Sequence, residues 1–491
     1  MPLSVATTCP SCGGSLEFTH GSVAVRCGFC GSSHLVTGHG RILSYVIPER
    51  IDLQGAVERV QARLESREGI WQIREATLFF VPFYHFTGQD LYWRVEEEDT
   101  NNDKEPGFWT KPLSGLELKD LWGYPGETPG QDTPRLAEKR FEMASRHIDR
   151  TLPALDATEL RVSSLGLRPE VLKLSLFQKE AVAKRGQISP VQAAGEDLEP
   201  QGYAPVRPEG IIAREVIGKT RSIIHFPFWI VEVAGGGNGG VIAVVDGVSG
   251  DITNDAASPG LLDSLVARDG NPFETVGMRP LKCPDCGVDL PVRTLDVIFF
   301  CAGCGKAWQI QDTEMQQVPY SCIPRRGTAD GGEYFPFWVM EARMVSNGRE
   351  IGNKFELTQL APGLRVPREA DRQIPLRLFV PAFRIDNLNI LSRLAGNFTR
   401  TQPIWEDGPL PRGTVPARGC FISPQDVREL APLVLFTLVP KGNKKALKFA
   451  LEAQVEVKGT ELVLVPFARS AMDYTDEVTG QSLPIAALRE G

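Results

Sequence analysis

The chain has 491 residues, with 53 Lys+Arg against 61 Asp+Glu and a formal net charge of −8, and at roughly 100–200 residues per domain that length predicts about three or four domains. With 42% hydrophobic and 23% charged residues, the composition is globular, not disordered or coiled-coil, and the acidic balance argues against a coat for DNA, RNA or an anionic membrane. The 48 Gly and 37 Pro predict many turns and short strands.

At the N-terminus, Met1 to Ala6 has no charged n-region and no long apolar h-region, so no signal peptide is expected. The longest apolar stretch, Ala431 to Pro440, is about half of what a spanning helix requires, so no transmembrane segment is expected. Eight of the ten cysteines form four C-x-x-C pairs, leaving Cys322 and Cys420. In a cytoplasmic chain, the location expected here, thiols stay reduced and paired C-x-x-C reads as metal binding before disulfide. The first set is Cys9-Pro10-Ser11-Cys12-Gly13 with Cys27-Gly28-Phe29-Cys30-Gly31. The second, Cys283-Pro284-Asp285-Cys286-Gly287 with Cys301-Ala302-Gly303-Cys304-Gly305, aligns with it without a gap. Between the knuckles Leu16 and Phe18, then Val23 and Val25, alternate around Thr19 to Ser22, and Leu290, Val292, Val297 and Phe299 repeat the phase. That pattern predicts a β-hairpin bringing the knuckles together. Four thiolates with no open position describe a closed structural Zn²⁺ site, a zinc ribbon, in each set. An iron site of the rubredoxin type and a thioredoxin-like redox pair are the competing readings. His20, His34 and His39 lie near the first ribbon and read as surface histidines, because the cysteines already complete the site.

Each ribbon is followed by a strand ending in Ile-Pro: Ser44 to Arg50, and Pro319 to Arg325. After the first, Asp52 caps a predicted helix with Leu53, Ala56, Val57, Val60 and Leu64 on one face. A Pro-aromatic strand pattern then recurs at Leu78–Tyr84, Ile223–Ile230, Glu333–Val339, Leu378–Phe383 and Leu462–Phe467. Its aromatic and β-branched content predicts strands. Proline cannot donate to a ladder, so each Pro is expected at an edge, a strand start or a bulge, and the five in several small sheets. The aromatics read as core, with a groove lined by Trp229 and Trp338 as the alternative. Glu96 to Asp99 reads as a solvated acidic loop. Pro134 to Ile148 predicts a helix capped by Thr133, with Leu136, Phe141, Ala144 and Ile148 along one side. Gly235 to Gly240 is a loop, and Asp246-Gly247-Val248-Ser249-Gly250 and Asp476-Glu477-Val478-Thr479-Gly480 predict matching tight turns. Ser423-Pro424 starts another helix, the helices being few and peripheral. Lys441 to Lys448 is the one basic run, a solvated face on which an acidic partner could dock. The chain divides as ribbon 1 (1–45), a β-module with a helix (46–155), a second β-module with a Gly-rich hairpin (156–280), ribbon 2 (281–315) and C-terminal β-modules (316–491). The fold class is therefore β-rich α+β and multidomain: two Cys₄ zinc ribbons plus several small antiparallel β-sheet modules, in two diverged halves.

The order of ribbon, Ile-Pro strand, amphipathic helix and Val81-Pro82-Phe83-Tyr84 strand, with Phe86-Thr87-Gly88 after it, resembles a loose group of uncharacterised bacterial double zinc-ribbon proteins with Pro-aromatic strand repeats. The resemblance covers residues 9–94 and recurs over 283–345. It implies zinc at the eight cysteines, and a protein partner beside a membrane-scaffold complex of the flotillin type, without an agreed activity.

Catalytic motifs are missing. Gly218-Lys219-Thr220 lacks the upstream glycine of a phosphate loop, which is Ala213 here. His85, His147 and His225 have no motif around them, and Cys322 and Cys420 have no sequence-adjacent activator, so they read as inert thiols. From Cys9 to His34 the charged side chains are only Glu17 and Arg26, not the basic stripe that phosphate contact needs. The expectation is a non-enzymatic, zinc-stabilised adaptor or assembly subunit. A ribbon-based nucleic-acid factor and an enzyme with a site assembled from distant residues are the alternatives.

Overall fold

The computed structural model describes residues 3–37, 42–95, 141–156, 158–166, 172–192, 195–203, 210–235, 240–266, 276–292, 296–311, 314–325, 332–361, 366–385, 387–405, 417–440 and 442–488. His39, Glu96 to Asp99, residues 134–140 of the predicted helix, residues 236–239 of the glycine loop and Lys441 lie outside them.

The first half supplies β1 (Ser4–Thr8), β2 (Ser15–Thr19), β3 (Ala24–Arg26), β4 (Ser33–Thr37), β5 (Leu43–Val46), β6 (Trp71–Val95), β7 (Phe141–Pro153), β8 (Lys173–Leu176), β9 (Gln187–Ile188), β10 (Ile211–Gly235), β11 (Val241–Asp246) and β12 (Ile252–Ala257). All but β3 and β4 join one ten-stranded sheet, in the order β12-β11-β10-β5-β8-β1-β2, with β6 along β10 and carrying β7 and β9. Next come β13 (Gly277–Pro280), β14 (Ile298–Phe300), β15 (Ala307–Gln311) and β16 (Glu314–Val318), which with β3 and β4 form two three-stranded sheets, β13-β4-β3 and β14-β15-β16. The second half supplies β17 (Tyr320–Cys322), β18 (Glu333–Ser346), β19 (Arg349–Ile351), β20 (Arg377–Pro381), β21 (Gln454–Arg469), β22 (Asp473–Asp476) and β23 (Ser482–Pro484), all in one seven-stranded sheet. The runs at Leu78–Phe83 and Ile224–Val231 are buried without alternation, as strands covered on both faces must be.

The prolines are placed differently from the sequence expectation. Pro82, Pro227, Pro336 and Pro466 lie inside central strands. The reason is a seam: opposite Pro82, Pro227 and Pro466 one neighbouring strand ends and another begins, and opposite Pro336 β20 ends and an isolated bridge to Ala417 follows. Along β10, β5 pairs only as far as His225 and β11 starts at Phe228. Along β21, β17 reaches Leu464 and β22 starts at Phe467. The missing N–H faces this handover, and each proline carbonyl still accepts there, Pro227 from Gly247 N at 2.9 Å and Pro466 from Glu477 N at 3.0 Å. Pro82 and Pro336 accept from Ala154 N and Ala382 N at the ends of β7 and β20.

The two sheets share this register. Pro227 pairs with Phe80, two residues before Pro82, and Pro466 pairs with Tyr334, two residues before Pro336. Phe83 pairs with Pro153 and Phe337 with Pro381. Both predicted turns form alike, Asp246 and Asp476 each accepting from the two amides after the next residue with one carboxylate oxygen.

The helix capped by Asp52 forms as expected over Leu53–Glu65, the carboxylate accepting from Gly55 N at 2.8 Å with Ala56 and Val60 buried. Ser423 likewise caps the Pro424–Glu429 helix. The helix predicted at Pro134–Ile148 is corrected: Phe141 onward is strand β7, paired with β6 from Phe83 to Val95, so thirteen residues of ladder override the helical spacing. Helices are also not confined to the periphery. Ala431–Thr437 is buried through Ala431, Leu433, Val434, Leu435 and Phe436, and Leu388–Thr401 buries Leu394 and Phe398. The Ala431 helix lies in a core that takes Leu91, Trp93 and Ile217 from the first sheet and Trp338, Met340 and Leu378 from the second. Trp93 Nε1 donates to the Leu433 carbonyl at 3.0 Å across this junction.

One buried ion pair lies at the β6–β10 ladder. Arg214 grips Asp90, 1% exposed, through Nε at 2.8 Å and a terminal nitrogen at 2.6 Å. Removing one partner of such a pair strands a buried charge. Arg214→Met is therefore expected to destabilise the fold by about 3–5 kcal/mol, read as a denaturant midpoint shift. A loss below about 1 kcal/mol, the scale of a surface pair, would refute it.

Candidate metal centres

Each knuckle is built as the turn of its own hairpin. Thr8 pairs with Ser15 around the first and Arg26 with Ser33 around the second. In the other ribbon Lys282 bridges Asp289 and Phe300 pairs with Ala307. The glycine after each C-x-x-C closes the turn by donating to the first cysteine's carbonyl, at 2.8–2.9 Å. Its φ is +73 to +75° in all four knuckles, a left-handed conformation that glycine adopts without a Cβ penalty. In the first ribbon the hairpin expected between the knuckles does not form. β2 leaves with β1 into the ten-stranded sheet, while β3 pairs with β4. Gly21, at φ +85°, and the His20 N–H donated to the Leu3 carbonyl hold the chain on this diverging path.

The result is two groups of four cysteines whose sulfurs all lie within 4.8 Å of one another. Sγ–Sγ distances are 3.8 Å for Cys9–Cys30, 3.7 Å for Cys12–Cys27, 3.6 Å for Cys283–Cys304 and 3.4 Å for Cys286–Cys301. Four sulfurs around one tetrahedral ion with bonds of about 2.3 Å sit about 3.8 Å apart, and disulfides need about 2.05 Å. All eight thiols are free, and each group can hold one metal ion. Cys9, Cys27, Cys283 and Cys301 are buried, whereas Cys12, Cys30 and Cys286 are exposed.

The surroundings of the two groups differ. Ser32 Oγ lies 2.9 Å from Cys30 Sγ and, with the Ser32 backbone, pulls that thiol down to about 6. His34 Nε2 lies 2.8 Å from Ser32 Oγ and 3.4 Å from Cys9 Sγ. His34 is fully buried and His20 is 7% exposed, which corrects their reading as surface histidines. His34 is covered because β13, which leads into the second ribbon, pairs with β4 at Pro280–His34. At the positions of Ser32 and His34 the second ribbon has Lys306, which pairs with Asp285 at 2.9 Å, and Trp308. The two ribbons also share one core: Ala24 and Leu35 of the first pack with Leu281, Leu290, Phe299 and Trp308 of the second.

The other sequence candidates separate clearly. Among the described residues Trp229 and Trp338 line no groove: both are buried, their indole N–H groups donated to the carbonyls of Ile51 and Ile422 at 2.8 Å. Cys322 and Cys420 are buried and their thiols pushed up by that burial, Cys322 to about 12. Gly218-Lys219-Thr220 is a bulge of β10 that docks on the second half. Gly218 N donates to Asp426 Oδ1 at 2.9 Å and Lys219 pairs with Glu429 at 2.8 Å.

The histidines gather unexpectedly. His85 Nε2 lies 2.8 Å from Asp149 Oδ1, and the His20 ring sits 4.8 Å from His85 and 4.9 Å from Tyr45. His20 Nε2 also meets Ser222 Oγ at 2.9 Å. Burial pulls His20 down to about 3, with the neighbouring His85 acting in the same direction. His20 and His147 line a cleft of about 690 Å³ between the ten-stranded sheet and the helices of the second half. No sequence motif announced this, because the residues come from Thr19–Gly21, β6, β7 and β10, which the fold alone brings together. The chain matches no protein-family model, no curated protein and no solved structure.

Proposed function

We propose that the chain is a non-enzymatic assembly protein, held in shape by two structural Zn²⁺ ions, that docks a protein partner through its first ribbon. The observation that carries this is the closed Cys₄ geometry of both groups, which leaves no coordination position for substrate. Zinc fits an all-thiolate tetrahedral set better than the harder divalent ions do. Cys9, Cys12, Cys27 and Cys30 would hold one ion, and Cys283, Cys286, Cys301 and Cys304 the other. The docking surface is the second knuckle of the first ribbon, where Phe29 stands 74% exposed beside the metal group, and an exposed aromatic on a rigid turn is the residue type that anchors interfaces. The proposed partner is cytoplasmic and belongs to a complex at a membrane scaffold. The matched proline registers of the two large sheets support descent of both halves from one duplicated unit.

The test is a native pull-down of the tagged chain with mass spectrometry, run beside Phe29→Ala. The expected result is a stoichiometric partner that Phe29→Ala loses while zinc stays at two per chain. A clean monomer, or a partner retained by Phe29→Ala, would overturn docking through this knuckle.

A further inference from the structure

The cleft of about 690 Å³ has the size of a small-molecule site, which typically spans about 300–1,000 Å³. Its far wall is apolar: Leu388 and Leu391, only half-buried, face it with Leu433 and Val434 from the buried helix. Opposite stand His20 and His147. Cationic charge enters through Arg384, half-buried on the loop that leads into the Leu388 helix. Among the described residues no acid pairs with its guanidinium. The two carboxylates that line the cleft are committed elsewhere. Asp426 accepts from Gly218 N and from Ser423 Oγ at 2.9 and 2.7 Å, and Asp296 is not free of partners.

A half-buried guanidinium with no acid partner among the described residues, set beside apolar surface, favours an anion. We infer that the cleft binds an amphipathic anion, with an apolar chain along Leu388, Leu391, Leu433 and Val434 and an anionic head at Arg384. Such a ligand bridges the two halves, because the cleft takes one wall from each. The inference does not depend on the zinc ions or on docking at Phe29.

Isothermal titration of the zinc-loaded chain with decanoate, decyl phosphate and 1-decanol, each below its micelle concentration, tests it. One decanoate or decyl phosphate per chain is expected, the tighter of the two identifying the head group, with 1-decanol at least tenfold weaker. Arg384→Gln, which breaks no described contact, is expected to weaken the anions at least tenfold and leave 1-decanol unchanged. Leu391→Trp, which fills the cleft, is expected to abolish binding of all three. Zinc content and circular dichroism of both variants establish that they are folded. Absence of saturable binding, equal affinity for 1-decanol, or undiminished binding by folded Leu391→Trp would overturn the inference.

Discussion

Cys301→Ser is expected to drop the metal content from two zinc ions per chain to one, and to loosen both ribbons. In zinc-finger peptides a structural zinc contributes on the order of 10 kcal/mol of folding free energy, and loss of one of four thiolates forfeits much of it. The effect spreads because the ribbons are not separate in space. Leu281, Phe299 and Trp308 of the damaged ribbon form one core with Ala24 and Leu35 of the intact one, and β13 is the partner strand of β4. Hydrogen exchange is expected to rise at Ser33–Thr37 as well as around Cys301, while the β6–β10 ladder keeps its protection. Two zinc ions retained, or exchange changed only within the second ribbon, would contradict this.

Acid is expected to destabilise the chain through two buried histidines. His225 is fully buried and stacked on Phe177 at 4.2 Å, and burial pulls it down to about 3, as it does His20. Both stay neutral in the folded chain, while the unfolded chain takes up protons below about pH 6.5. Their contribution is therefore complete above pH 6.5 and is lost progressively as pH falls toward 3. Between pH 7 and 4.5 the loss is on the order of 5 kcal/mol for the pair. Protonation of ligating thiolates adds to acid sensitivity, so the comparison that isolates the histidines is between slopes. His225→Phe, which keeps the ring against Phe177, is expected to flatten the pH dependence of the denaturant midpoint by about one proton over pH 6–4.5. An unchanged slope would show that His225 does not carry this linkage.

The metal groups were legible because their constraint is local. The C-x-x-C-G knuckle encodes a turn, a positive φ and two ligands within five residues, and both copies carry it. Asp52 and Ser423 announced their helices for the same reason, each side chain satisfying an amide three residues ahead. What could not be read depended on partners far along the chain. Nothing near Pro227 says that β5 will end and β11 begin beside it, so a proline inside a central strand looked forbidden. Phe141, Ala144 and Ile148 have helical spacing, and only the length of β6 beside them makes them a strand. Ala431–Thr437 has no polar side because it is enclosed, which removes the periodicity that marks a helix. The Leu388–Thr401 helix was missed, although Asn387 as cap and Leu391, Leu394 and Phe398 along one face carry its signal. The cluster of His20, His85 and Asp149 has no pattern of its own, being a product of topology.

The pairing of β13 with β4 also sets an order of events during synthesis. Thr37 ends β4, and its partner Gly277 leaves the ribosome only about 240 residues later, some tens of seconds at ordinary elongation rates of roughly 5–20 residues per second. Through that interval one edge of the first ribbon's small sheet is without its final neighbour, with Leu35 lacking its second-ribbon partners, the kind of edge that recruits other chains. Metal taken up at Cys9, Cys12, Cys27 and Cys30 is available much earlier, since all four ligands precede β4 in the chain. The nascent chain thus has a stapled but unsealed first ribbon, and the second ribbon completes the first as well as itself.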